Sequence, residues 1–319
     1  MAFGTDSSVS VGELGSIYLH IVFQTMRKTC TILFLGILAP VLTGCISSTR
    51  YVKVHAAPPI VRTATLDELV AKVDRQFDAI KTLNASVTIA ASTATATAGQ
   101  VTDYSAFRGY IFVRKPEDLR VILMVPLLGR ALDMVSTGKD FTLLMMLPTK
   151  TRAIKGTDQV TTPSKNPMEN LRPGVFFDAL IVRSIGDDEY VTMTESSRLI
   201  EPETKKHDAI SEPDYDISVL KMKKGRTLVR LRTIHISRVD LEPYQQDIYD
   251  ETGRIVTTVQ YSKYQAFGDL QFPTEIAIDR PLDKYSLKVV VQKLTPNQKI
   301  EDDQFELQLP AGVQVETLK

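Results

Sequence analysis

The chain has 319 residues, and its 38 basic and 38 acidic side chains balance. That balance leaves no electrostatic footprint for nucleic acid. Only two cysteines are present and no tryptophan, so a disulfide-stapled scaffold is excluded and burial of apolar side chains must hold the fold.

Residues 1–25 carry Asp6 and Glu13 but neither Lys nor Arg. Arg27 and Lys28 then precede a short apolar run, Cys30 to Val41, which is closed by Leu42-Thr43-Gly44-Cys45. A positive flank, a short apolar core and small residues before a processing site describe a secretory signal peptide. The run is too short to cross about 30 Å of hydrocarbon as a helix. A longer helix from Gly15 to Leu38 would bury Arg27 and Lys28 at about 2.5–3.5 kcal/mol each. Met26 to Gly44 forms a complete signal alone, so Met26 is the expected start and residues 1–44 the segment removed.

Leu42-Thr43-Gly44-Cys45 resembles the lipobox of bacterial lipoproteins. The resemblance implies a diacylglycerol on the Cys45 thiol, cleavage before Cys45 and acylation of the new amine. That covalent lipid is the only prosthetic group expected. With Cys30 removed and Cys45 acylated, no free thiol remains, which excludes thiolate metal sites. Two or three acyl chains, at about 0.8 kcal/mol per buried methylene, make a lasting anchor. Ile46 stands where an acidic residue would signal retention in the inner membrane, which implies outer-membrane anchoring with the domain facing the periplasm.

Residues 45–63 then read as the lipidated cysteine and a polar, Pro-rich tether, with Ala56-Ala57-Pro58-Pro59 unable to bury enough area to fold. Residues 64–319 read as one domain. Thr65-x-x-Glu68 fits a capping box. Leu66, Leu69, Val70, Val73, Phe77 and Ile80 follow at helical spacing on one face. Strands are expected at Asn84–Ser92, Tyr104–Arg114, Leu119–Val125, Ala131–Ser136, Phe141–Leu147 and Arg152–Lys155. Turn chemistry at such short, regular spacing marks an antiparallel meander. Residues 157–173 read as a loop and Pro173 to Ile181 as a short covering helix. Further strands are expected at Tyr190–Thr194, Tyr215–Met222, Thr227–Val239, Pro243–Tyr249, Ile255–Tyr264, Glu275–Asp279 and Tyr285–Leu294. Glu201–Asp214 reads as a charged insertion. The fold class is α+β, mainly β: a curved antiparallel sheet with an N-terminal helix and short helices on its concave face.

Four stretches together resemble the LolA/LolB superfamily of lipoprotein carriers and receptors. They are the Leu66–Ile80 helix running into strand Asn84–Ala91; Asp118-Leu119-Arg120-Val121-Ile122-Leu123 with Val125-Pro126-Leu127-Leu128-Gly129; Asp240-Leu241-Glu242-Pro243 to Tyr249-Asp250-Glu251-Thr252-Gly253 with Phe272-Pro273; and Asp303 to Val313. The resemblance implies an unclosed half-barrel whose concave face holds acyl chains. It also implies a lipid-transfer role for an exposed leucine of the Pro-Leu-Gly loop, matched here by Leu128 with Leu127 as an extra apolar neighbour.

From the residues themselves, Val121, Leu123, Leu132, Met134, Phe141, Leu143 and Met145 occupy alternate strand positions facing one way. With Phe176 and Phe177 they are the candidate apolar cavity, or else a filled core. Leu144 and Met146 make their strand apolar on both sides, as when a sheet is covered on both faces. Four scattered histidines lack metal-ligand spacing, and His235, between Ile234 and Ile236, is expected to face solvent. Lys221, Lys223, Lys224, Arg226, Arg230 and Arg232 read as a solvated hairpin face, with a face toward lipid phosphates as the alternative. No nucleophile elbow, P-loop or dinucleotide fingerprint occurs, and Asp187-Asp188 and Asp302-Asp303 read as solvated turns, so no enzyme is expected. The sequence therefore reads as an outer-membrane lipoprotein binding an acylated protein or lipid. The alternative is an envelope-assembly or sensor protein that docks a protein partner on the same scaffold.

Overall fold

The structure, a computed structural model, describes residues 54–55, 60–94, 101–127, 129–146, 151–157, 171–200 and 209–318. The lipobox residues Leu42, Thr43, Gly44 and Cys45 lie outside the described residues, as does Leu128.

The first half comprises β1 (Val54–His55), α1 (Leu66–Ala79), β2 (Thr82–Ala94), β3 (Val101–Arg114), β4 (Asp118–Val125), β5 (Gly129–Thr137), β6 (Asp140–Met146), β7 (Thr151–Thr157) and α2 (Pro173–Leu180). The second comprises β8 (Glu189–Ile200), β9 (Ala209–Met222), β10 (Leu228–Ser237), β11 (Pro243–Tyr249), β12 (Ile255–Phe267), β13 (Leu270–Arg280), β14 (Tyr285–Pro296), a 3-10 turn (Asp302–Phe305) and β15 (Gln314–Thr317). All 15 strands join one unclosed sheet in the order β1-β9-β10-β11-β12-β13-β14-β2-β3-β4-β5-β6-β7-β15, with β8 on the flank of β9. The pairing of β14 with β2 stitches the two meanders together. Only the outlying pairs β1–β9 and β15–β7 are parallel.

Strand alternation builds the inner face. In β2, Leu83, Ala85, Val87, Ile89 and Ala91 are buried while the residues between them are half-buried. The same face continues across register partners Ala85, Ile111, Val121, Met134, Leu143 and Ile154. α1 covers the other end of this face, where Leu69 and Val73 pack on Tyr215, Ile217, Val219, Ile234 and Ile236. Its expected capping box is formed: the Thr65 amide donates to Glu68 Oε2 at 2.8 Å and the Glu68 amide to Thr65 Oγ1 at 3.3 Å.

The outer face is covered too, at one end. After β14 the chain returns over β3–β5, packing Ile300 and Phe305 against Val135. Beneath it lies a buried ion pair, Arg120 to Asp133 at 2.8 Å, and Arg120 also donates to the Gln304 carbonyl. The two-sided burial expected of β6 is present, since Leu144 and Phe141 are both buried although they point to opposite faces.

Five expectations are corrected. The tether is not unpaired throughout residues 45–63, because Val54–His55 pairs with Ala209–Ile210. The charged insertion ends earlier than Asp214, because Ala209–Asp214 belongs to β9. There Glu212 and Asp214 are buried by hydrogen bonds rather than solvated: Ser237 and Arg198 donate to Glu212, and the Tyr244 hydroxyl donates to Asp214 at 2.6 Å. Strand β13 begins at Leu270, so Phe272 and Pro273 lie within it. Arg232 is buried, not solvated; it bridges Glu189 at 2.9 Å and the Ser184 carbonyl.

His235 is the fifth. Its side chain is 17 % exposed, with Nδ1 at 2.6 Å from Asp216 and Nε2 at 3.2 Å from Asp247. Burial alone would lower the imidazole pKa, but hydrogen bonds to Asp247 and Asp216, and their charges, outweigh it and hold it above the ordinary histidine value. A folded pKa raised above the unfolded one contributes stability that is complete below the unfolded value of about 6.5 and is lost as pH rises through the folded value. The urea midpoint is therefore expected to fall as pH rises upward from about 6.5. His235→Gln should flatten that slope, and equal slopes for both proteins would contradict the clamp.

Candidate functional site

The inner face under α2 is built from residues that the sequence marked. Val121, Leu123, Leu132, Met134, Phe141, Leu143 and Met145 come from β4, β5 and β6, and all are buried in one cluster with Phe176 and Phe177 of α2. Met134 faces Val121 on one side and Leu143 on the other, while Leu132 lies between Leu123 and Met145. α2 thus presses its aromatic side chains into the sheet and fills the space. The apolar cleft between α1 and α2, lined by Phe77, Ile80, Leu180, Tyr261, Tyr264 and Phe272, has a volume of about 40 Å³. Ligand pockets run to about 300–1,000 Å³, so an acyl chain entering this cleft needs α2 to give way.

α2 is a weakly secured cover. It has eight residues, begins after Arg172 without a side-chain cap, and carries Pro173 in its first turn. Helices this short are marginal without tertiary support. Beneath it the apolar row is broken by Gln246, which is 1 % exposed. Gln246 Nε2 donates to the Asp178 carbonyl of α2 at 3.3 Å, while its Oε1 finds no partner. The buried Tyr261 hydroxyl is also unpartnered, and burial pushes its pKa well above the ordinary tyrosine value. Each unsatisfied buried group costs about 1–3 kcal/mol. The closed state therefore combines good apolar contact with a polar penalty, which narrows its advantage over an open one.

At the N-terminal end of α2 lies a separate pocket of about 370 Å³, lined by Arg172, Arg183, Arg280, Glu117 and Asp178 among others. Its charges are paired within the chain: Arg183 with Asp178 and Glu117, and Arg280 with Asp283. Burial opposes the Arg183 charge, but Asp178 and Glu117 outweigh it and hold the guanidinium above its ordinary value. The lining here is mixed, with the matched charges beside Leu119, Val175, Phe177, Ile248 and Val256.

The second element is the β4–β5 hairpin. Leu127 is fully exposed, at 106 % of its reference area, and its φ is +68°. Left-handed backbone costs an L-residue about 1–2 kcal/mol, and this side chain recovers none of that by burial. Gly129, φ +82°, follows and lets the chain re-enter β5. The sequence matched the transfer role to Leu128; the residue placed at the described tip is Leu127.

No family model matches the chain, and no curated protein matches it. Solved structures do align with it. A LolA superfamily protein from Nitrosomonas europaea aligns at 15 % identity and TM-score 0.43, over 75 % of this chain and 97 % of its own. An outer-membrane lipoprotein-sorting protein domain from Vibrio parahaemolyticus aligns at 10 % identity and TM-score 0.46, over 75 % of this chain and 94 % of its own.

Proposed function

We propose that this chain is a lipid-anchored protein of the outer membrane, facing the periplasm, that shields an acyl chain of a lipid or acylated protein and hands it to a membrane. The observation that carries this reading is Leu127, fully exposed in left-handed backbone at a hairpin tip. An apolar side chain held there at a conformational cost gains free energy only when an apolar partner meets it.

In this reading the acyl chain takes the place of Phe176 and Phe177 on the inner face, against Val121, Leu123, Leu132, Phe141 and Leu143. Met134 and Met145 are unbranched and adapt to chains of different shape. The energetics are an exchange: ligand methylenes replace aromatic side chains, each burying apolar area worth about 25 cal/mol per Å². Displacing α2 also lets Gln246 and Tyr261 find partners. Leu127 then offers the chain a first contact with a bilayer. No covalent step is needed.

A docking role for a protein partner draws on one observation, the free edge of β8. Among the described residues this strand pairs only with β9, over Glu189–Ile200. An open edge accepts an added strand through its backbone groups.

Leu127→Ser is the direct test in the mature, lipidated chain. Its fold should be unchanged within about 0.5 kcal/mol, because the leucine touches nothing. Native mass spectrometry should show an acylated peptide still bound, while transfer of that peptide to vesicles slows about tenfold, the value of roughly 1.4 kcal/mol of lost apolar contact. Unchanged transfer would contradict the role of the tip, and absence of any acyl uptake would favour the docking reading.

A further inference from the structure

The hairpin pattern sorts every turn to one of two rims. From the antiparallel registers, the turns β4–β5, β9–β10, β11–β12 and β13–β14 share the rim at which β2 ends. The turns β3–β4, β5–β6, β10–β11 and β12–β13 share the other rim, together with the start of β9 where Val54 pairs.

The two rims differ in chemistry. The first holds Leu127 and Leu282 in its turns, the facing pair Met222 and Leu228 at the β9–β10 turn, Ile255, and Tyr190 where β8 begins, all of them exposed. On the second rim exposed large apolar residues lie at strand ends, Leu199 and Ile200 where β8 closes and Ile210 where β9 opens, while its turns hold none among the described residues. Cations accompany the apolar residues: Lys223, Lys224 and Arg226 share one turn, and Lys284 lies beside Leu282. Lys223 is paired with Glu251 at 2.8 Å, and Arg254 with Asp250. Lys224, Arg226 and Lys284 make no ion pair among the described residues.

Exposed apolar side chains interleaved with unpaired cations match a surface that is anionic outside and apolar within. We propose that this rim is a second, non-covalent membrane contact that docks onto anionic phospholipid. It extends the proposed role of Leu127 and rests on that reading for one of its residues; the basic turns and Met222, Leu228 and Leu282 carry it independently. Juxtamembrane cations attract such lipids through the surface potential, and the apolar tips gain by entering the headgroup boundary. The chain joins the sheet from the opposite rim, at Val54.

The test uses the full lipidated chain in vesicles, with Leu282→Cys carrying an environment-sensitive fluorophore; no other free thiol competes once Cys45 is acylated. Brominated acyl chains should quench the label in phosphatidylglycerol–phosphatidylcholine vesicles, and much less in phosphatidylcholine alone or at high salt. A label at Lys139→Cys, on the other rim, should stay unquenched. Neutralising Lys224 and Arg226 together should lower the docked-to-free ratio about 30-fold, from about 1 kcal/mol per cation near an anionic surface. Equal quenching at both rims, or a Leu282 label that stays in water on anionic vesicles, would overturn the proposal. Its failure is separable from that of the carrier reading: acyl uptake with no docking overturns only the rim, and docking with no acyl uptake overturns only the carrier.

Discussion

One wide sheet with a continuous apolar inner face must have that face covered, and the described residues offer two helices, α1 and α2, with which to do it. The register rows from Ile154 to Ala85 present side chains that cannot be left in water. α1 protects the β9–β10 end with Leu69 and Val73, while the β4–β6 region relies on Phe176 and Phe177. The two covers differ in how firmly they are attached. α1 is capped and tied by Lys72 to Glu242 at 2.7 Å and to the Leu241 carbonyl. α2 is uncapped, held by the Arg183–Asp178 ion pair and by Gln246, and lies over polar groups it leaves unsatisfied. A cover that fits well but binds imperfectly is the arrangement in which a ligand with matching apolar area can compete.

The rest of the sheet is built for permanence. Outer-face charges are buried as matched sets: Arg120 with Asp133, Arg198 with Glu212, and His235 between two carboxylates. Breaking one member of such a set strands the other in a poor dielectric, a loss of about 3–5 kcal/mol for a buried pair. These interactions tie the outer surfaces of neighbouring strands together. On the proposed carrier reading, rigidity in the strands and looseness in the cover are complementary, because a face that received variable chains would have to keep its own shape.

Much of this was legible in the sequence, and what was not has definite causes. The Thr65–Glu68 box and the spacing of Leu69 and Val73 located α1 because capping and periodicity are local signals. Alternation found the inner-face residues of β4–β6 for the same reason. The start of β9 was read as an insertion because Ser211-Glu212-Pro213-Asp214 looks solvated, and its partners Ser237, Tyr244 and Arg198 lie elsewhere in the chain. His235 reads as solvent-facing because its isoleucine neighbours point inward, while the carboxylates that enclose it come from β9 and β11. β15, exposed along its length, carries no apolar alternation. The polar penalty beneath α2 was hidden as well, since nothing local shows that Gln246 lies in an apolar row. The rim composed of Met222, Leu228 and Leu282 emerges only when registers gather turns that are distant in sequence.

Hydrogen exchange of α2 with and without a diacylated peptide tests most directly whether this helix is a replaceable cover. If an acyl chain displaces Phe176 and Phe177, amides from Val175 to Leu180 should lose protection on ligand addition, while β4, β5 and β6 keep or gain it. Protection of α2 that is unchanged or increased when the peptide is bound would contradict the exchange of helix for ligand.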